Sequence, residues 1–207
     1  MSRVMVPSRS SFAFLMTAFL VLLTPDIGLA HKLIEPGKQE NVAKGAFAAS
    51  TEHSWNRLSK RPGKYQEIWT IDGDQLNRIV FFGGVPVGEA LFRERNKKLA
   101  PLPKVAENML LPDITTLLER TYRTYYGTPV FRVIEQKPAK FAGLDAIKFV
   151  YEFMDVNDEV VRRGEAYGAF HEDRLYLAAF EAPSLHFFDR DIDKFRHLAS
   201  TVTLRRK

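Results

Sequence analysis

Ile147, Phe149, Tyr151 and Phe153 alternate with Lys148 and Glu152, and this two-residue period constrains the fold more than any other feature of the chain. Successive side chains of a strand point to opposite faces, so such a run buries one face and leaves the other partly wet. Strand-like runs flank it at Val130–Ile134, Val160–Phe170 and Leu175–Phe180. Ala142-Gly143, Asn157-Asp158 and His171-Glu172-Asp173-Arg174 provide turns between them. Connections that short make neighbours antiparallel, because a parallel crossover needs about a dozen residues. The second half of the chain therefore reads as an antiparallel sheet.

Upstream, Ser54–Leu58, Tyr65–Ile71 and Leu76–Phe82 are rich in aromatic and β-branched residues, the composition of strands. Asp72-Gly73 is a hairpin signal, since glycine accepts the positive φ of a tight turn, and it folds Trp69 and Ile71 back toward Ile79, Val80 and Phe81. Residues 31–50 read as a loosely held entry with one helical turn near Val42–Phe47. Residues 83–108 carry Gly83, Gly84, Pro86, Gly88, Pro101 and Pro103 around the run Arg93-Glu94-Arg95-Asn96-Lys97-Lys98. Breakers at that density mark a long connection, and long connections in small domains tend to be functional.

Two helices complete the reading. Pro112 and Asp113 suit the start of the first and Gly127 its left-handed end, with Leu110, Ile114, Leu117, Leu118, Thr121 and Tyr125 as its apolar stripe. The second runs over Asp189–Thr201, with Ile192, Phe195, Leu198, Ala199 and Val202 inward and Asp189, Asp191 and Asp193 at its positive end. The fold class is α+β: a single domain over residues 31–207, mainly antiparallel sheet packed by a central and a C-terminal helix.

The order of hairpins, central helix, meander and final helix resembles the PsbP-like α/β/α sandwich. The last third carries most of the likeness: the meander Lys148–Phe153, Glu165–Phe170 and Arg174–Phe180, the helix Asp191–Ser200 and the terminal Thr203-Leu204. The chain also resembles small exported proteins of proteobacteria. These resemblances imply an exported, extrinsic, non-catalytic protein that binds or helps assemble membrane complexes, and they carry no functional residue onto a numbered position.

The first thirty residues set the expected address. Arg3 and Arg9 precede the apolar run Phe12–Leu23, and Gly28-Leu29-Ala30 ends it with small residues, the three-part pattern of a secretory signal. At 1.5 Å per residue that run spans roughly 18 Å, too short for a hydrocarbon core of about 30 Å. Cleavage after Ala30 is expected, leaving no transmembrane span. A chain without cysteine has no lipid-modified cysteine, disulfide or thiolate metal site, and export without disulfides points to a bacterial periplasm. The net charge of +5 is mild and dispersed. In that compartment it predicts anionic or amphiphilic ligands, or an envelope protein, as partners and no nucleic acid.

No catalytic motif survives inspection. Asp189-x-Asp191-x-Asp193 opens like a calcium loop but places Lys194 and Ser200 where glycine and glutamate are required. Asp72-Gly73-Asp74 is a turn, and Gly83–Gly88 lacks the lysine and hydroxyl of a phosphate cradle. His31, His53, His171, His186 and His197 show no zinc-hydrolase spacing. Cleavage after Ala30 would give His31 the amine and imidazole that begin a copper site, but no further ligand is identifiable, so no metal or cofactor is assigned. Carboxylate pairs stay open, because their spacing in space is invisible here.

Arg120-Thr-Tyr122-Arg123-Thr-Tyr125-Tyr126 interleaves basic and aromatic groups. Together with the 83–108 loop it defines the expected partner or ligand surface: Arg93, Arg95, Lys97, Lys98, Arg120, Tyr122, Arg123 and Tyr126. Trp55 and Trp69 belong either to the core or to a groove. The expected function is an exported, non-catalytic binding or assembly protein of the cell envelope. The alternative is a periplasmic hydrolase whose carboxylates or histidines the sequence does not identify; two carboxylates in one cleft, or His171 with a second histidine and an acid, would favour it.

Overall fold

The computed structural model describes residues 31–154 and 159–205. The expected signal, Met1–Ala30, and the Asn157-Asp158 turn lie outside the described residues.

The chain enters through β1 (Lys32–Ile34), β2 (Gln39–Val42), β3 (Phe47–Ser50), β4 (Trp55–Arg57), β5 (Gln66–Thr70) and β6 (Arg78–Pro86). A long connection leads to α1 (Leu111–Tyr126), then to β7 (Phe131–Phe141), β8 (Leu144–Met154), β9 (Val161–His171) and β10 (Arg174–Pro183). The helix α2 (Phe187–Thr201) and the short β11 (Thr203–Leu204) close the chain. Eight strands form one antiparallel sheet in the order β1-β4-β5-β6-β10-β9-β8-β7, and β11-β3-β2 form a second, small sheet. The β6–β10 pair at the centre joins the two halves of the sequence, so the long connection, α1 and three strands are inserted between neighbours.

The period of β8 decides which face packs where. Ile147, Phe149, Tyr151 and Phe153 are all buried, in one core with Ile114, Leu117, Leu118 and Tyr122 of α1. The opposite face packs Ala169, Ala178 and Phe180 against Ile192, Phe195 and Leu198 of α2 and against Phe47 of the small sheet. Each sheet face thus has its own helix, which is an α/β/α sandwich. Trp55 and Trp69 are both fully buried in the second core.

α1 ends where Gly127 takes φ 65°, and Asp113 accepts from the Leu110 backbone N–H at 2.9 Å at its start. Its close seat on the sheet depends on Gly168, where an added Cβ would lie 2.7 Å from Ile114.

Several expectations are corrected. Residues 31–50 form three strands, and the turn near Val42–Phe47 is a hairpin loop in which Ala43, Lys44 and Gly45 take positive φ. β6 continues through Gly83-Gly84 to Pro86, because β10 pairs with it there, so the connection begins at residue 87. Leu110 is exposed, while Tyr122, expected on the surface, is fully buried. The apolar stripe of α1 is wider than its aliphatic residues indicate, and Tyr122 stands one turn after Leu118 within it.

Candidate functional site

The molecule neutralises most of its buried ions internally. Glu181 is fully buried and accepts from Arg78 Nε at 2.8 Å and Nη2 at 2.7 Å, and from the hydroxyls of Tyr122 and Tyr151. Burial first, and the Glu181 charge second, push both tyrosine hydroxyls well up, so they remain donors. On the other face Glu165 meets Arg196 at 2.7 Å and Lys148 at 2.9 Å. Burial works to raise the Glu165 pKa, but those two cations outweigh it and hold it low. Glu67 accepts from Trp69 Nε1 and faces Arg57, each at 2.8 Å.

Asp191 was expected to serve only the helix dipole. It is instead fully buried, accepting from Asn77 Nδ2 at 3.0 Å and pairing with Arg190 and with Lys194 at 2.7 Å. Asn77 also accepts from the backbone N–H groups of Ile71 and Asp72, so this cluster ties α2 to the turn between β5 and β6. These clusters close on themselves and present nothing to a ligand.

Cations without a carboxylate partner among the described residues gather mainly in two places. One is the connection after β6. Arg93, Arg95, Lys97 and Lys98 are all exposed, as are Arg120 and Arg123 on α1. The structure joins these two stretches through Phe92, which is buried against α1 and stacks on Tyr125 with ring centroids 4.3 Å apart. Arg95 lies 4.3 Å over the same Tyr125 ring and donates to its hydroxyl at 3.0 Å. A cleft of about 430 Å³ beside them includes Lys64, Arg93, Lys97 and Lys104 in its lining.

Not every expected residue joins this surface. Lys97 is offset by Glu94 at 3.5 Å, and Arg123 spends its donors on Glu119 and on the carbonyls of Pro129 and Phe131. Tyr126 is half-buried beneath Arg78, and Tyr122 belongs to the Glu181 cluster.

The second gathering lies at one end of the large sheet, in a cleft of about 860 Å³. The β2–β3 loop brings Lys44, the β9–β10 turn brings His171, Glu172 and Arg174, and Arg205 follows β11. Arg174 Nη1 donates to the carbonyl of Gly84 at 3.1 Å, and Arg205 Nη1 to Asn41 Oδ1 at 2.5 Å. Gly84 is the extra residue of a β-bulge opposite Leu175 and Tyr176, with φ 67°. Sequence reasoning missed this cleft. Its residues come from three hairpin ends far apart in the chain, and only their positions beside turns hinted at a shared location. The cleft gathers one histidine and one carboxylate among its lining residues, which does not meet the criterion set for the hydrolase alternative. No group of three metal-ligating side chains occurs among the described residues, and no described helix is long and apolar enough to cross a membrane.

No family model matches the chain, and no curated protein does. Solved structures do. The Ran-binding protein Mog1p of Saccharomyces cerevisiae is 8% identical, with a TM-score of 0.51 over 85% of this chain and 96% of that one. Cyanobacterial PsbP from Synechocystis sp. PCC 6803 is 14% identical, with a TM-score of 0.49 over 87% of this chain and 96% of that one. A structure from Bacteroides thetaiotaomicron is 9% identical with a TM-score of 0.49; it covers 83% of this chain, which spans about half its length, 49%. At such identities a likeness speaks of fold alone. The α/β/α layering agrees with the PsbP-like reading at that level.

Proposed function

We propose that this chain is an exported, non-catalytic binding or assembly protein of the bacterial cell envelope that meets an acidic partner through the loop after β6 and the adjoining face of α1. One observation carries the reading: exposed Arg93, Arg95 and Lys98 have no carboxylate partner among the described residues, and Phe92 anchors their loop to α1. A charged loop with a buried aromatic anchor is preorganised, so less ordering entropy is lost on binding. The fold shared with Mog1p, a protein whose name describes it as Ran-binding, is compatible with protein recognition. The signal-like pattern of Met1–Ala30 supports the export part of the proposal.

The test replaces Arg93, Arg95, Lys97 and Lys98 together by alanine and measures capture of envelope proteins at low and high salt. Rim charges act mainly on association rate and salt dependence. The variant is therefore expected to capture several-fold less at low salt and to lose its salt sensitivity. Unchanged capture at low salt overturns the surface assignment. N-terminal analysis of the exported protein is expected to begin at His31, and retention of the whole protein in the cytoplasm overturns the address.

A further inference from the structure

We propose that the cleft at the sheet end bounded by Lys44, Arg174 and Arg205 binds a small ligand carrying a phosphate monoester. Charge supplies the first argument. Many of the arginines near the sheet are matched by acids: Arg57 and Arg61 by Glu67, Arg78 by Glu181, Arg163 by Glu152, Arg190 by Asp191 and Arg196 by Glu165. The two arginines of this cleft are held by neutral acceptors instead, the Gly84 carbonyl and the Asn41 amide oxygen. Such anchoring fixes a guanidinium without cancelling its charge and leaves further N–H donors for a guest. Lys44 makes no ion pair among the described residues, and the single acid, Glu172, lies 3.5 Å from His171. Lys44, Arg174 and Arg205 set against Glu172 leave an excess of two positive charges. A phosphate monoester carries a charge of about −1.5 to −2 at neutral pH, which matches that excess.

Shape supplies the second. The volume of about 860 Å³ lies within the usual range for small-molecule sites, roughly 300–1,000 Å³. Cations arriving from three separate elements suit a tetrahedral anion better than a planar carboxylate. Gly45, Gly84 and Gly143 line the cleft, and at Gly143 an added Cβ would meet nothing within 4 Å, so a ligand can approach the backbone there. Tyr65 and Tyr176 offer ring surface for the body of the ester.

Turn geometry supplies the third. Ala43, Lys44, Ala142, Glu172 and Asp173, all in the loops around this cleft, hold positive φ. At Ala142-Gly143 and Glu172-Asp173 this is the backbone that a two-residue hairpin turn requires, and it fixes the turns that form the rim of the cleft. These observations are independent of the loop surface proposed above.

Titration calorimetry of the purified protein with glycerol 3-phosphate tests the proposal, with glycerol and succinate as comparison ligands. Saturable binding is expected for glycerol 3-phosphate, none for glycerol, and much weaker binding for succinate. The Lys44→Gln/Arg205→Gln double variant and the Arg174→Gln single variant, all at exposed positions, should each lose about tenfold or more in affinity. The four-alanine loop variant should bind as the parent does. A vesicle arm identifies the source: co-sedimentation with phosphatidylcholine vesicles containing phosphatidic acid, lost in the cleft variants, assigns a lipid headgroup. Binding of the soluble ester without co-sedimentation assigns a free metabolite. Absence of glycerol 3-phosphate binding, equal affinity for succinate, or binding that survives the cleft variants overturns the proposal.

Discussion

The Glu181 cluster permits a stability prediction with a worked magnitude. Replacing Glu181 by leucine removes the carboxylate that answers Arg78, whose side chain is 13% exposed while that of Glu181 is 0% exposed. Breaking a buried pair by deleting one partner costs about 3–5 kcal/mol, because the remaining charge is left in a poorly solvated site. The small exposure of Arg78 lets some water reach it, which favours the lower end. Tyr122 and Tyr151 lose their shared acceptor in the same step, and each orphaned hydroxyl adds about 1 kcal/mol. The expected loss is then about 5–6 kcal/mol, against a total stability of about 5–15 kcal/mol for an ordinary domain. Thermal melting followed by circular dichroism should show Tm lower by about 10–20 °C, or no cooperative transition at all. The control is the double variant Arg78→Met/Glu181→Leu, which removes both charges and restores apolar packing. It should recover most of the loss, since a buried pair replaced as a whole is often close to neutral. A Glu181→Leu protein within about 1 kcal/mol of the parent, or a double variant as unstable as the sum of the singles, would refute the reasoning.

Two further predictions concern neighbouring features. Alanine for glycine inside a strand normally stabilises by roughly 0.5–1 kcal/mol. Gly164→Ala should do the reverse, because its Cβ would overlap the Tyr151 ring, which is held by its bond to Glu181. Overpacking of about 1–3 kcal/mol is expected as a lowered urea midpoint, and a raised midpoint would show that the ring is free to move. The second concerns acid. Glu165 and Asp191 hold pKa values below the ordinary carboxylate range: burial opposes this in both, but Arg196 and Lys148 at Glu165, and Arg190 and Lys194 at Asp191, prevail. A folded pKa below the unfolded one means that the unfolded chain takes up protons first as pH falls. Stability should therefore be full above the unfolded carboxylate pKa of about 4 and decline as pH drops through the depressed folded values. Urea midpoints that stay flat from neutral pH down to about 3 would contradict these assignments.

Local pattern alone decided a good part of this molecule. The two-residue alternation of Ile147–Phe153 set which side of β8 is buried, and the Ala142-Gly143 and Glu172-Asp173 turns joined β7 to β8 and β9 to β10 as read. Trp69 pairs with Ile79 as read, although residues 71–77 form a wider loop than the tight turn expected at Asp72-Gly73, and Gly127 ended α1 with the expected left-handed backbone. Such features are written within a few residues, where periodicity and turn chemistry act without knowledge of the rest of the chain. The basic loop was legible for the same reason, as a run of charges between breakers.

Tertiary structure alone decided the rest, because burial and charge compensation depend on residues distant in the chain. Tyr122 looks like a surface neighbour of Arg120 and Arg123 in the sequence. It turns inward because Glu181, 59 positions away, offers it a buried acceptor. Asp191 resembles its neighbours Asp189 and Asp193, yet Asn77 selects it alone for burial, 114 positions away. The β6–β10 pairing converts Gly83-Gly84 from apparent loop into strand and places a bulge at the sheet end. That same closure draws Lys44, Arg174 and Arg205 into one cleft. A sequence records which side chains carry charge, but only the folded sheet determines which charges meet an opposite one and which are left facing a common space.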